Sequence, residues 1–452
     1  MNDPAATFPG DAPPLQRLGD KVLAVLHRFG PFLIVAAVIA VRFPPTLWRA
    51  EFWAEDATEF FFDAVSLGAK SLVVPVYGYH FFVERVIAYV ATFLPVYYTP
   101  YVYAWASLVI DAAALAYLVR DGFSWIAPRR GQRVLLAALL AVGPGTAEVL
   151  LNMANLPAAL AFLGLLLLIE RPFLIGPGKL ILLVIIIASS GQMVLWIPVV
   201  AYLAWATKAR TYWIVAISIA VFAVLNGIGN HEASSSAGIL DYGALSVVPR
   251  ILLENSFTRL LPGPFLGALT GLLMRSSAVV FWGAAIVGLG AFAALAYRAS
   301  LADRDGTAVL VLGYLGAIGM LGLTAISRAY SVPLLVRESG SLLYHLRYAF
   351  LPSAIATLIW ASFLLRPRAD PVWRRVRIIA SVIIAINLAV CFSLRFARAD
   401  LHWPARSGRV QWLLDLNRRN GQPVVIRIED LPVHPFRWVP ANGRVAVVVP
   451  GR

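Results

Sequence analysis

The chain has 452 residues, of which 60% are hydrophobic and 14% charged, with a mean hydropathy of +0.76 and a net charge of +14. A soluble domain sits nearer half apolar and a quarter charged, so the composition is that of a membrane protein. The positive charge does not point to nucleic acid, because Lys and Arg fall between apolar stretches or in the tail and not in one interleaved patch.

In chain order, residues 1–28 form a Pro-rich polar segment, "MNDPAATFPGDAPPLQ" at its start, with no short apolar core and cleavage site. It reads as a cytoplasmic tail, with the first span acting as an uncleaved anchor. Apolar stretches approaching the roughly 20 residues that cross a bilayer as a helix then recur. They lie at 29–46, 98–119, 133–150, 155–170, 179–193, 194–207, 212–228, 278–297, 307–325, 349–365 and 377–395. The expectation is an all-α polytopic membrane protein of about eleven transmembrane helices over 29–395. The runs do not alternate as the strands of a β-barrel would. Residues 396–452 follow as a tail in which "QPVVIRIEDLP" and "GRVAVVVP" alternate like short strands, a small extracytoplasmic α/β appendage. Cys391 is the only cysteine, which excludes an internal disulfide and a cysteine-based metal site.

Basic residues mark one side of this topology. Arg17, Lys21 and Arg28 precede the first span, and Arg120, Arg129, Arg130 and Arg133 lie between the second and third. Arg171 with Lys179, Lys208 with Arg210, Arg298 with Arg304, and the group from Arg366 to Arg377 complete the series. By the positive-inside rule these are cytoplasmic, which places the N-terminus inside and the tail outside.

The first outer loop, 47–97, contains "FWAEDATEFFFDA" (Phe52–Ala64), which packs Glu55, Asp56, Glu59 and Asp63 closely. Asp56 and Glu59 fit a D-x-x-E capping box that starts a helix, and with Asp63 they would line one solvated face. Glu55 and Asp56 also admit a second reading. Trp48, Phe52 and Trp53 set them at the aromatic belt, where adjacent carboxylates are costly without a task. One can take a proton from a hydroxyl while the other holds a divalent metal or orients an acceptor, and the two roles are exchangeable.

Further along the loop, "GYHFFVERVIAYVATFLP" is apolar but short for a span, and it carries Glu84 and Arg85, which suits an interfacial or re-entrant helix. His80 precedes these two by about one helical turn, so the three can share a face; a lone histidine otherwise fills a hydrogen-bond slot. Arg85, Arg328, Arg337 and Arg347 stand on the outer side. Singly, each is an interfacial anchor snorkelling to water. As a set they offer bidentate geometry to a lipid phosphate. Arg347 sits at the mouth of a span with His345 and two tyrosines. "GTAEVLLNMANLP" (Gly145–Pro157) brings Glu148, Asn152 and Asn155 toward the outer surface, the asparagines either as helix-end polar groups or as sugar-binding amides.

On these residues the chain resembles the polytopic glycosyltransferases of the GT-C superfamily. "WAED" (Trp53–Asp56) stands where those enzymes carry a paired acidic motif in the first outer loop. "VPVYGYHFFVERVIAYVATFLP" (Val74–Pro95), "GTAEVLLNMANLP" and "LRYAFLP" (Leu346–Pro352) are similar to segments in a group of bacterial members. The resemblance implies a GT-C-like fold in a bacterial inner membrane. It implies inverting transfer of a sugar from a polyprenyl-phosphate donor to a lipid-linked or cell-envelope glycan acceptor at the outer face. In that scheme Asp56 is the base and Glu55 its partner, and Arg347 with Arg85, His80 or His345 meets the donor phosphate. Tyr79, Glu148, Asn152 and Asn155 face the sugar or acceptor. A divalent cation, Mg or Mn, would be held by Glu55 and Asp56, and the requirement for it is left open because members differ.

The alternative is a multi-pass lipid or polysaccharide transporter or flippase. Such proteins carry ionisable groups at mid-span and often repeated halves. The spans here are almost free of charge and no internal repeat is visible; Asp111, near the middle of the second span, is the exception. A polysaccharide polymerase or ligase would share the lipid donor but usually gathers basic residues in one large late loop, and a non-enzymatic scaffold would leave the carboxylate pair incidental.

Overall fold

A helix that is apolar all round has no face to offer water and must be surrounded. "LPAALAFLGLLLLI" is such a helix, and Leu156–Ile169 is buried at every position. The computed structural model describes residues 14–50, 52, 56–76, 79–143, 146–234, 303–327, 347–365, 424–427 and 446–449, with isolated positions between 283 and 301 and at 375, 378, 382 and 413–415. The described helices are α1 (Pro14–Arg42), α2 (Pro44–Trp48), α3 (Phe62–Leu67), α4 (Phe82–Ala91), α5 (Thr99–Ala116), α6 (Arg130–Val142) and α7 (Thr146–Val149). After them come α8 (Leu156–Ile169), α9 (Pro177–Ser189), α10 (Ile197–Thr207), α11 (Arg210–Ser234), α12 (Arg304–Ser327) and α13 (Arg347–Leu364). The protein is mostly helical. α5 and α9 cover α8 on two sides, α12 and α13 touch it on others, and α1 packs outside α5 and α6.

Among the described residues two helices, Val96–Val119 and Arg210–Gly227, are long and apolar enough to cross a membrane. A third crossing exists if the α9–α10 pair is one span. The sequence reads 179–193 and 194–207 as two spans. They are instead short helices meeting at a 119° bend through a 3-10 turn, Gly191–Trp196. The predicted span 133–150 also ends early. Gly143-Pro144 follows Val142, a pair that disfavours helix at the residue before the proline, and α6 stops there while α7 starts a separate turn at Thr146. The predicted spans at 278–297 and 377–395 lie mostly outside the described residues.

The connections rich in Lys and Arg meet at one end of the bundle. Glu170 gathers Arg120 Nε at 2.6 Å, Lys179 Nζ at 2.5 Å and the Tyr117 hydroxyl at 2.6 Å. Arg133 pairs with Asp121 and Arg171 with Asp303, each at 2.5 Å. Burial alone would raise the Glu170 carboxyl, but Lys179, Tyr117 and Arg120 together hold it below its usual value. These bonds tie the α5–α6 connection to the α8–α9 connection, and that connection to the segment before α12.

The opposite end carries the first loop. Its aromatic residues Phe52, Phe60, Phe61 and Phe62 form a second core with Val76, Ala88, Tyr103 and Met153. Leu414 and Val424 of the tail belong to the same core. β1 (Val424–Arg427) pairs antiparallel with β2 (Ala446–Val449), and β2 touches α3, so the two short strands expected in the tail form and dock on the first loop.

Candidate active site

The acidic stretch starts a helix as its D-x-x-E pattern predicts, as a π-helical turn at Asp56–Phe61 that runs into α3. It is not a solvated face: Asp56, Glu59 and Asp63 are all buried. Burying three carboxylates requires partners, and two are plain. Asp56 Oδ1 accepts the backbone N–H of Ala154 at 3.0 Å. Asp63 Oδ2 accepts Arg85 Nη2 at 2.8 Å. Glu55, expected beside Asp56, lies outside the described residues.

Both terminal nitrogens of Arg85 are held. Besides Asp63, it donates from Nη1 to the Glu59 carbonyl at 2.9 Å, and its guanidinium lies over the Phe60 ring at 5.4 Å. Only 1% of its side chain is exposed, so in this structure Arg85 ties α4 to the acidic turn instead of standing open to a lipid phosphate.

His80 is half-buried, its ring set edge-on to Phe222, and its backbone N–H donates to Asn226 Oδ1 at 3.1 Å. Burial, with Arg85 second, lowers its pKa and keeps the ring neutral near pH 7. Tyr79 packs on the apex of the α9–α10 bend, where a Cβ on Gly191 would come within 2.7 Å of its ring. The Val83 N–H donates to Ser189 Oγ at 3.1 Å, so the end of α9 also reaches α4.

Asn152 and Asn155 are buried in the short turn that receives Asp56. This segment is deeper than an outer-surface loop, because the Leu151 N–H donates to Asp111 Oδ2, twelve residues into α5, at 2.9 Å. The early stop of α6 is what lets the chain turn back at that depth. The structure therefore joins Asp56, Asn152 and Asn155, and separately Tyr79, His80 and Asn226. For Glu148 and Arg347 only the backbone is described, in α7 and at the start of α13, and His345 lies outside the described residues. No group of three or more His, Cys, Asp or Glu converges on a metal position among the described residues, which do not include Glu55.

Two features escape the sequence reading. The first is a polar stripe on α5. Thr99, Tyr103, Ser107 and Asp111 recur every fourth residue, which puts them on one helical face over roughly 18 Å. All four are buried, and Thr99 Oγ1, the Tyr103 hydroxyl, Ser107 Oγ and Asp111 Oδ1 find no hydrogen-bond partner among the described residues. Tyr103 lies within electrostatic reach of Asp56, so the acidic turn stands beside this stripe. The i, i+4 spacing is the available signal, and of the four only Asp111 stands out by itself in an apolar helix. The second is Glu84, fully buried on α4 with both carboxyl oxygens unpartnered among the described residues. Burial, only partly offset by the nearby backbone N–H of Glu84 itself and by Arg85, pushes its pKa up to about 8.

Buried polar groups in native proteins are nearly always hydrogen-bonded, and a row of exceptions asks for a partner that the described residues do not supply. Comparison of the chain with protein-family models, with curated proteins and with solved structures finds no match.

Proposed function

We propose that the chain is a membrane-embedded inverting glycosyltransferase of GT-C type, with about eleven spans, acting at the outer face of a bacterial inner membrane. Its N-terminus is then cytoplasmic and its tail extracytoplasmic. The observation that carries this reading is the buried carboxylate of Asp56, fixed by the Ala154 N–H beside a stripe whose three hydroxyls, and one oxygen of Asp111, have no hydrogen-bond partner among the described residues. A hydroxyl-rich sugar is the ligand class whose many donors and acceptors would satisfy such a row.

In this mechanism the acceptor hydroxyl gives its proton to Asp56 as its oxygen attacks the anomeric carbon. The bond from that carbon to the phosphate oxygen breaks, and polyprenyl phosphate leaves with the electron pair. Attack opposite the leaving group inverts the centre. The Ala154 N–H holds the Asp56 carboxyl in one orientation throughout. Arg85 serves by position, since its charge is already matched to Asp63. That leaves Arg347, with His345, as the cationic residues for the departing phosphate. Glu55 keeps its role as the partner of Asp56. The test is transfer or hydrolysis by the purified protein over a panel of polyprenyl-phosphate sugars. Turnover of one donor supports the reading, and failure to bind any donor removes it.

A transporter is the second reading, favoured by the broken α9–α10 pair and by Asp111 at mid-helix. Flux of an intact lipid-linked sugar across proteoliposomes without bond cleavage would favour it.

A further inference from the structure

At the basic end, away from Asp56, a cleft of about 590 Å³ lies between α1, the end of α5 and the start of α6. Its lining includes an apolar wall portion, Pro31, Phe32, Ala116 and Val119, interleaved with Arg28, Arg120 and Arg130 and with the carboxylates of Asp121 and Glu170.

Both carboxylates are already matched. Arg133 sits on Asp121, and Arg120 and Lys179 sit on Glu170. Arg28 has no acidic partner among the described residues; its guanidinium lies over the Phe29 ring at 5.5 Å. Arg130 bonds the ring and the carbonyl of His27 and has no acidic partner among the described residues. The cleft therefore holds an unmatched positive surplus next to an apolar wall. Beside it, α1 exposes Val25, Phe29 and Leu33, an apolar flank continuous with that wall.

A soluble anion would use the arginines and leave the apolar wall unexplained. An apolar ligand would leave the arginines unexplained. A molecule with an anionic phosphate and a hydrocarbon chain uses both, and basic pockets between membrane helices commonly take lipid head groups. We propose that this cleft binds the phosphate of an anionic phospholipid between Arg28 and Arg130, with an acyl chain lying along Phe32 and Val119. The proposal rests on these helices lying in a membrane and is independent of glycosyl transfer.

The test uses the full chain in detergent micelles, with its thermal unfolding midpoint followed by tryptophan fluorescence. The probes are dihexanoyl phosphatidic acid, dihexanoyl phosphatidylcholine and inorganic phosphate. Phosphatidic acid is expected to raise the midpoint by several degrees at concentrations where the other two do nothing. In Arg28→Gln its half-effect concentration should rise about tenfold, and in Arg28→Gln with Arg130→Gln the shift should vanish. Arg28 is exposed, so its single replacement leaves folding intact and keeps the test meaningful if the double variant fails to fold. An equal shift with inorganic phosphate would overturn the lipid assignment in favour of a free anion. An equal shift with phosphatidylcholine, or an unchanged response in Arg28→Gln, would overturn the site. Loss of glycosyl transfer elsewhere in the molecule would leave each of these outcomes unchanged.

Discussion

Asp56 Oδ1 accepts the backbone N–H of Ala154 at 3.0 Å, joining two segments 98 residues apart. The bond makes the acidic turn of the first loop and the deep 146–155 connection parts of one site. It also holds the carboxylate at the head of the α5 stripe.

Arg85 and Asp63 form a buried pair, and removing one partner leaves the other charge uncompensated. Arg85→Met alone should destabilise by about 3–5 kcal/mol. The double change Arg85→Met with Asp63→Leu should recover most of that loss. Chemical unfolding of the three proteins in one detergent checks this. Equal losses in the single and double variants would remove the pair from the account.

Glu84 makes stability depend on pH. Its folded pKa is about 8 against an ordinary glutamate value of 4.5, so the folded state keeps a proton that the unfolded chain releases. Stability is then fully present below about 4.5 and falls as pH rises through the window up to about 8. Glu84→Gln should flatten that part of the profile. Unfolding midpoints from pH 4 to 9 read it directly, and a profile equally steep in the variant would contradict it.

Gly316 on α12 touches the backbone of the Gly191–Trp196 turn, and a Cβ there would come within 2.1 Å of the Leu195 carbonyl oxygen. Backbone cannot step aside cheaply, so Gly316→Ala should cost about 1–3 kcal/mol or prevent folding. Gly319 has open space on the same helix, and Gly319→Ala should be neutral or gain up to about 1 kcal/mol. Comparing folded yield and unfolding midpoint of the two variants tests the crossing.

Asp111 separates the two functional readings. Its Oδ2 accepts the Leu151 N–H, a task the amide oxygen of asparagine also performs. Asp111→Asn should retain glycosyl transfer and stability, whereas Asp111→Val leaves a buried N–H unpaired at a cost of about 1–3 kcal/mol. Loss of activity in Asp111→Asn with stability retained would point to a titrating residue and hence to transport.

Much of the helical frame is legible in the sequence because apolar length is a local property. Val96–Val119, α8, α11, α12 and α13 fall close to the predicted runs, and the alternating tail segments give β1 and β2. The bend between α9 and α10 was hidden because both halves are equally apolar, so hydropathy shows two runs and no angle. Arg85 was misplaced for a different reason. Its partner Asp63 lies 22 residues away, and only the folded loop shows that its charge is matched. The motif singles out Asp56 but not its acceptor role toward Ala154, since that contact joins segments 98 residues apart.

The most direct measurement is turnover by Asp56→Asn beside wild type, with the polyprenyl-phosphate sugar that the wild type uses. Asparagine keeps an oxygen for the Ala154 N–H and loses only the basic carboxylate. Transfer should fall by about 10²–10⁴-fold while donor binding and the unfolding midpoint stay at wild-type values. Unchanged transfer would contradict the account and leave Asp56 as the structural acceptor for Ala154 alone.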